Sequence, residues 1–289
     1  MTEYRTLDKT SFETIHKSFA EAFSDYFVRF ALSPGEFRGM NLLRGVDYSA
    51  SLGAFEDGEL IGFTLNGIGP WGGRPTAYDA GTAVFKEFRG RGISTEMFRR
   101  LAPLLKGLGI ERYLLEVITA NEGAFRLYSG LGFKVARRFS CVKLKPGALR
   151  AAGGTGARIT DIPPSDWPAL RQEMEKDASF LPSWQNSWDS ILRLPGNFVV
   201  KGVWRGGEPA GYGVVAPATG AIPQLWVKSA RRRAGLGSAL LRALASAART
   251  EGALSWVNID DSAADTLKFM ESSGFERGLS QYEMEKDIR

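Results

Sequence analysis

Apolar positions along this chain recur with two periods, and each period turns up in both halves. Runs of period two flank polar turns at "SLGAFEDGELIGF", around Asp57-Gly58, and at "NFVVKGVWRGGEPAGYGVV", around Gly206-Gly207. Asp-Gly and Gly-Gly between apolar runs predict β-hairpins, because these pairs readily take the positive φ angles that suit twisted strands. A helical period follows. From about Ile93, the residues Met97, Leu101, Leu104 and Leu105 fall on one face, as in a buried stripe. Pro103 inside that stripe predicts a kink or a shortened helix.

The same pattern orders the rest of the N-terminal half. Two helical segments, "SFETIHKSFAEAF" and "SPGEFRGMNLL", precede the hairpin, and "GIGPWGGRPT" reads as a loop. A strand is expected from about Tyr78 to Phe85, ahead of the Ile93 helix. Then come a strand "RYLLEVI", a short helix "EGAFRLYSGL" and a final strand near "VARRFSCVKL". The expected fold class is mixed α/β, with strands outnumbering helices.

This order repeats. "VFKEFRGRGISTEMFRRLAPLL", from Val84, aligns with "VKSARRRAGLGSALLRALASAA", from Val227, so that Arg89 meets Arg232 and Gly92 meets Gly235. "LYSGLGF" ending at Phe133 aligns with "FMESSGF" ending at Phe275. Four features in one order imply two related domains. Between them "KPGALRAAGGTGAR" is rich in Gly and Ala and lacks apolar periodicity, which marks a linker. The expected division is 1–146, a linker over 147–156, and 157–289.

Composition narrows the chemistry. Of 289 residues 44% are hydrophobic and 24% charged, a globular balance. One cysteine, Cys141, excludes a disulfide framework and a cysteine metal cluster; one histidine, His16, leaves no zinc site built on several histidines. His16 reads as a surface or packing residue on an early helix, and Cys141 as core. No apolar run approaches the roughly 18 residues of a membrane span, and the polar N-terminus does not resemble a leader. A cytoplasmic protein is expected. The net charge of +5 is mild. A nucleic-acid-binding reading would rest on it alone, and predicts a steep salt dependence of binding. Trp71 is the one tryptophan of the first half and six lie in the second, which suggests a well-packed second domain or an aromatic pocket, the first favoured.

"EFRGRGIST" sets arginines against a helix N-terminus, where the helix dipole disfavours cations by a few tenths of a kcal/mol. A strand, a glycine turn and a helix start together form an anion site: orphan N–H groups face outward and glycine admits a close ligand. A P-loop signature is absent, and "GRGIST" lacks the third glycine of a dinucleotide fingerprint. The pattern that fits is R-x-x-G-x-G/A.

On these residues the chain resembles the GNAT superfamily of acetyl-CoA-dependent N-acetyltransferases, in tandem and over nearly its whole length. Arg232, Gly235 and Gly237 match the superfamily's pyrophosphate motif in full. Arg89-Gly90-Arg91-Gly92-Ile93-Ser94 match it except at Ser94, which is small and a hydrogen-bond donor. The N…LY…LGF pattern one strand later strengthens the likeness. The resemblance implies two mixed, mostly antiparallel sheets flanked by helices. It implies acetyl-CoA as co-substrate, with no metal. It also implies a pantetheine arm paired to the main chain of Ala83, Val84 and Phe85.

Further roles follow from the same likeness. Tyr128 matches the tyrosine that protonates the departing thiolate. Asn121 matches the asparagine on the CoA arm, with an N-cap role equally open. Asp79 is the best-placed general base, with Glu116 second. Asp25 and Tyr26 fall where this fold lines the acceptor side. In the second half Met270 stands opposite Tyr128, Ile222 opposite Asp79, and Ala263 (or, nearby, Asp261) opposite Asn121. That half reads as degenerate. The expected function is acetyl transfer to a primary amine of a small molecule or peptide, in the N-terminal domain. No nucleic acid and no membrane are expected as partners, and the chain is expected as a monomer or homodimer. Two alternatives stand beside it: a non-catalytic acyl-CoA-binding protein, and a mycothiol-synthase-like tandem with the second half active.

Overall fold

A computed structural model describes residues 1–25, 31–150, 156–178 and 180–288. The chain forms two compact units, one of Met1–Ala136 with Tyr282–Arg289 and one of Arg137–Gln281. Residues 151–155 of the expected linker lie outside the described residues.

The first unit opens with β1 (Glu3–Thr6), then α1 (Phe12–Ala22) and α2 (Pro34–Arg44). Each helix starts at a serine whose hydroxyl takes a backbone N–H. Ser11 accepts from Thr14, and Ser33 forms a reciprocal capping box with Glu36. His16 on α1 stacks on Phe12, and its Nε2 lies 2.8 Å from the Leu32 carbonyl, so it has a packing role. The hairpin expected at Asp57-Gly58 joins β2 (Leu52–Glu56) to β3 (Glu59–Trp71). The expected loop "GIGPWGGRPT" is instead a second hairpin. β3 runs on to Trp71 and turns through Gly72 and Gly73, both at positive φ, into β4 (Arg74–Val84). Proline density argues for a loop, but a two-glycine turn lets both strands continue.

Helix α3 (Ile93–Gly107) passes through Pro103 without stopping. Pro103 and Arg99, four residues before it, are both exposed, so water can satisfy the carbonyl that loses its partner. β5 (Arg112–Ile118) and α4 (Glu122–Gly130) follow. Met97, Phe98, Leu101 and Leu105 pack with Tyr113, Leu115 and Phe133 in the core of this unit.

The strand after α4, β6 (Lys134–Leu144), does not close the first unit. From Arg137 on it belongs to the second, where it pairs antiparallel with the strand Leu254–Asp260. Phe139, Val142 and Leu144 are buried there, and this burial sets its place.

The second unit continues with β7 (Arg158–Asp161), α5 (Trp167–Asp177), α6 (Trp188–Arg193) and a meander of β8 (Val199–Arg205), β9 (Glu208–Ala216) and β10 (Ala221–Val227). Then come α7 (Leu236–Ala247), β11 (Leu254–Asp260), α8 (Ala264–Ser272) and β12 (Glu276–Asp287). From Tyr282, β12 belongs to the first unit and lies beside β5, with Met284 in that unit's core. Among the described residues each unit is thus a mostly antiparallel sheet that includes a parallel pair, flanked by helices.

Candidate active site

Strands β4 and β5 run parallel and pair only over Thr76–Tyr78 opposite Arg112–Leu114. Beyond Tyr78 that ladder stops, while β4 stays paired to β3 as far as Val84. The freed edge of β4, with Ala83 and Val84, can accept an extended amide-bearing chain as an added strand.

Where the strands part, the register of β4 on β3 shifts between Asn66↔Asp79 and Leu65↔Gly81, leaving Ala80 as the extra residue. Such a bulge re-aims neighbouring side chains. Arg44 holds it by donating to the Ala80 carbonyl at 2.7 Å. Asp79 is 9% exposed. Its Oδ1 accepts from the Gly81 N–H at 2.9 Å, and its Oδ2 from the Thr82 hydroxyl at 2.8 Å and the Tyr128 phenol at 3.3 Å. Burial raises its pKa to about 6, against the pull of the three donors.

Tyr128 reaches Asp79 from α4. Its ring meets Phe98 edge-on at 5.6 Å and Phe133 at 5.7 Å, which fixes the direction of the phenol. Asn121 caps α4, accepting the Ala124 N–H on Oδ1 at 3.1 Å. Beside these, Tyr78 donates to Glu116 at 3.0 Å, and Tyr113 bonds Asn66. Burial pushes the Tyr78 phenol well up, so it stays protonated.

At the arginine–glycine turn Gly90 and Gly92 take φ of 78° and 75°. Unlike α1, α2 and α4, helix α3 has no side chain capping its first N–H groups. Arg89 Nε bonds the Val84 carbonyl at 3.0 Å and its guanidinium grips Asp25 bidentately at 2.8 and 2.9 Å. Arg91 grips Glu56 in the same way, at 3.0 and 2.8 Å. The charge conflict read from the sequence is thus met by the chain's own carboxylates. Asp25, expected on the acceptor side, here serves Arg89, while Tyr26 lies outside the described residues. No sequence signal links Asp25 or Glu56 to the turn, since each pairs across the fold.

The second unit repeats the turn. Gly235 takes φ of 74°, α7 again lacks a side-chain cap, and Arg232 Nε bonds the Val227 carbonyl at 3.1 Å. Met270 and Ile222 are both buried in an apolar core. Among the described residues no helix is long and apolar enough to cross a membrane, and no three His, Cys, Asp or Glu side chains gather as a metal site.

Comparison with known proteins agrees with this geometry. An N-alpha-acetyltransferase of Arabidopsis thaliana, MAK3, is 35% identical over 85 residues, which is 29% of this chain and 45% of that protein. N-alpha-acetyltransferase 30 of Schizosaccharomyces pombe is 38% identical over 56 residues, or 19% and 37%. The matches span less than half the length of these curated relatives. Among solved structures, a GCN5-related N-acetyltransferase from Sphaerobacter thermophilus superposes with a TM-score of 0.75 at 16% identity, over 100% of this chain and 96% of that one. A tandem GNAT protein from the clavulanic acid pathway gives 0.73 at 15%, over 100% and 99%. Both share the fold. The acetyltransferase (GNAT) family model matches residues 12–133 and again 157–275, and the chain belongs to that family in both of its halves.

Proposed function

We propose that the protein is an acetyl-CoA-dependent N-acetyltransferase for a primary amine and that its chemistry resides in the first unit. The observation that carries this is the contact between Tyr128 and Asp79 at the point where β4 and β5 part. The site's form suits the co-substrate: uncapped helix N–H groups and two arginines for a pyrophosphate, and an open strand edge for an amide-bearing arm. When bound, acetyl-CoA supplies an activated carbonyl and a thiolate leaving group.

The chain's own residues then handle the proton. Asp79, with a pKa near 6, is mostly ionised at neutral pH yet basic enough to take a proton from the nitrogen of a neutral amine as it attacks. Tyr128 gives its phenolic proton to the sulfur as the carbon–sulfur bond breaks and recovers one from Asp79 through their shared hydrogen bond. One proton thus passes from nitrogen to sulfur as the amide forms. Asn121 fixes the start of α4 and with it the reach of Tyr128. The relatives named N-alpha-acetyltransferases make peptide N-terminal amines the first acceptors to try.

The test is release of free thiol from acetyl-CoA with a panel of amines. Tyr128→Phe should lower turnover by about a hundredfold or more with little change in CoA affinity. Unchanged turnover would remove the assigned role. The reading with chemistry in the second unit has no support from Met270 and Ile222, which offer neither acid nor base.

A further inference from the structure

Helix α2 ends on Arg44, and Gly45 at φ of 71° turns the chain back against β3. Main-chain contacts stitch that turn to the strand. The Asp47 N–H donates to the Asn66 carbonyl at 2.9 Å and the Ile68 N–H to the Gly45 carbonyl at 3.0 Å, while Val46 bridges Gly67. Asn66 and Gly67 are the register partners of Asp79 and Tyr78 on β4. The end of α2 is thus fixed one strand away from the Asp79 carboxylate. From there Arg44 reaches across to the Ala80 carbonyl at 2.7 Å.

The carbonyl it holds belongs to the residue that shapes the site. Asp79 lies before the bulge, while its donors Gly81 N–H and Thr82 hydroxyl lie after it. Residues 79 and 82 are three apart, so an unbroken strand would turn their side chains to opposite faces. The extra residue at Ala80 puts both on one face, where they meet at 2.8 Å. Ala80 is buried, and a bulge leaves its extra residue outside the regular ladder, where a carbonyl without a partner is costly. A guanidinium is a strong donor for that place, because charge-assisted hydrogen bonds are about twice as strong as neutral ones.

Charge adds to this geometry. Around Asp79, β3 brings Asn66 with Thr64 beyond it, and β4 brings Tyr78 and Thr82. Strand β5 brings Tyr113, and Glu116 bonded to Tyr78; α4 brings Tyr128. Helix α1 offers only the rings of Phe19 and Phe23, packed toward Gly81. Arg44 comes from α2, and its positive charge favours the ionised form of Asp79 where burial favours the neutral one.

We propose that Arg44 is a positioning residue of this site: through the Ala80 carbonyl it locks the bulge that gathers Asp79, Thr82 and Tyr128, and its charge holds the carboxylate ready to accept a proton. Its effect on rate rests on the reading of Asp79 as the base. Its hold on the bulge and on the carboxylate does not.

The experiment uses the full chain with two variants. Arg44→Gln carries no charge and is too short to reach Ala80, whereas Arg44→Lys keeps the charge and most of the length. Carboxyl-carbon NMR, with Asp79→Asn to assign the signal, follows the titration of Asp79. Thiol release from acetyl-CoA with the amine of the panel that turns over gives the rate. In Arg44→Gln the Asp79 midpoint should move to higher pH, and the acid limb of kcat/KM should move with it. Well above both midpoints, kcat should still fall by about tenfold or more, because the carboxylate and phenol are no longer aligned. Arg44→Lys should return the midpoint toward that of the wild type. Arg44→Met, which keeps the stem without donor or charge, carries the same expectation as the glutamine variant and serves if that one does not fold. An Asp79 midpoint unmoved in the uncharged variants would overturn the proposal, and so would a lowered kcat with the acid limb in its original place. A midpoint that moves in a protein whose rate has no acid limb would leave Arg44 its role and remove Asp79 as base.

Discussion

Tyr128 and Asp79, 49 residues apart in the chain, meet through one phenol-to-carboxylate hydrogen bond of 3.3 Å. The donor comes from a helix and the acceptor from a strand bulge, so neither can shift without changing the contact. Asp79 must be ionised to accept a proton, and burial places its pKa near 6. In the proposed relay kcat/KM therefore rises with pH through about 6 and then levels off. Asp79→Asn should remove this acid limb along with most of the turnover. A rate that stays flat from pH 5 to 8 in the wild type would argue against Asp79 as base.

The same shift has a stability consequence of opposite sign. A carboxyl whose folded pKa lies above its ordinary value stabilises the fold while protonated, and that contribution is lost as pH rises through about 6. Two units correspond to about 3 kcal/mol at most. The Thr82 and Tyr128 hydroxyls can turn to accept from an amide, so Asp79→Asn should melt higher than wild type at pH 8 and about equal to it at pH 4. An equal or lower melting temperature at pH 8 would mean that the buried charge costs the fold nothing.

Phe98 sets the Tyr128 ring edge-on and also packs against Tyr113 and Phe133. In Phe98→Leu the phenol loses one wall. The expected result is a fall in kcat with little change in KM for acetyl-CoA, and a stability loss of about 1–2 kcal/mol. A change in KM alone would show that Phe98 acts on binding.

Asp25 occupies Arg89 in the way an incoming phosphate would, and the guanidinium holds its carboxyl below the usual range. Phosphate and carboxylate then compete for one cation. Asp25→Asn should lower KM for acetyl-CoA, most clearly at low ionic strength where exposed charges are least screened. A raised KM would mean that Asp25 orients Arg89 rather than blocking it.

Features written in a few consecutive residues were legible in the sequence: the Asp57-Gly58 hairpin, the arginine–glycine turns and the stripe of α3. Tyr128 and Asp79 could each be singled out, but not their contact, which depends on a one-residue bulge at Ala80 with no sequence mark. The pairing of Arg89 with Asp25 and Arg91 with Glu56 crosses the fold and leaves no periodicity. The tryptophans of the second half divide between the two settings their number suggested. Trp167, Trp184 and Trp188 are core, whereas Trp226 and Trp256 also wall a cavity. Strand partners were the least legible. β6 and β12 are both amphipathic strands after a short helix, and nothing local says which unit each one closes.

That ambiguity gives the last prediction. A fragment ending at residue 146 contains every chemical group proposed for transfer, but it lacks the strand from Tyr282 onward that lies beside β5. It would lose Met284 from the core, Tyr282 from the face of Phe125 and the bond from Ile288 N–H to the Glu111 carbonyl. Arg112, almost buried, would lose Glu285, and Arg74 would lose Asp287. Removing one buried methionine side chain costs about 2–5 kcal/mol, a large part of the roughly 5–15 kcal/mol that holds a domain together. The unpaired edge of β5 would also invite association. Residues 1–146 alone are therefore expected to show no cooperative thermal transition and to aggregate. Joining residues 276–288 to that fragment through a flexible linker should restore both a sharp melt and acetyl transfer. A cooperative melt of 1–146 by itself would mean that β6 can turn back to close the first unit, and that the exchange of strands is a choice the fold can reverse.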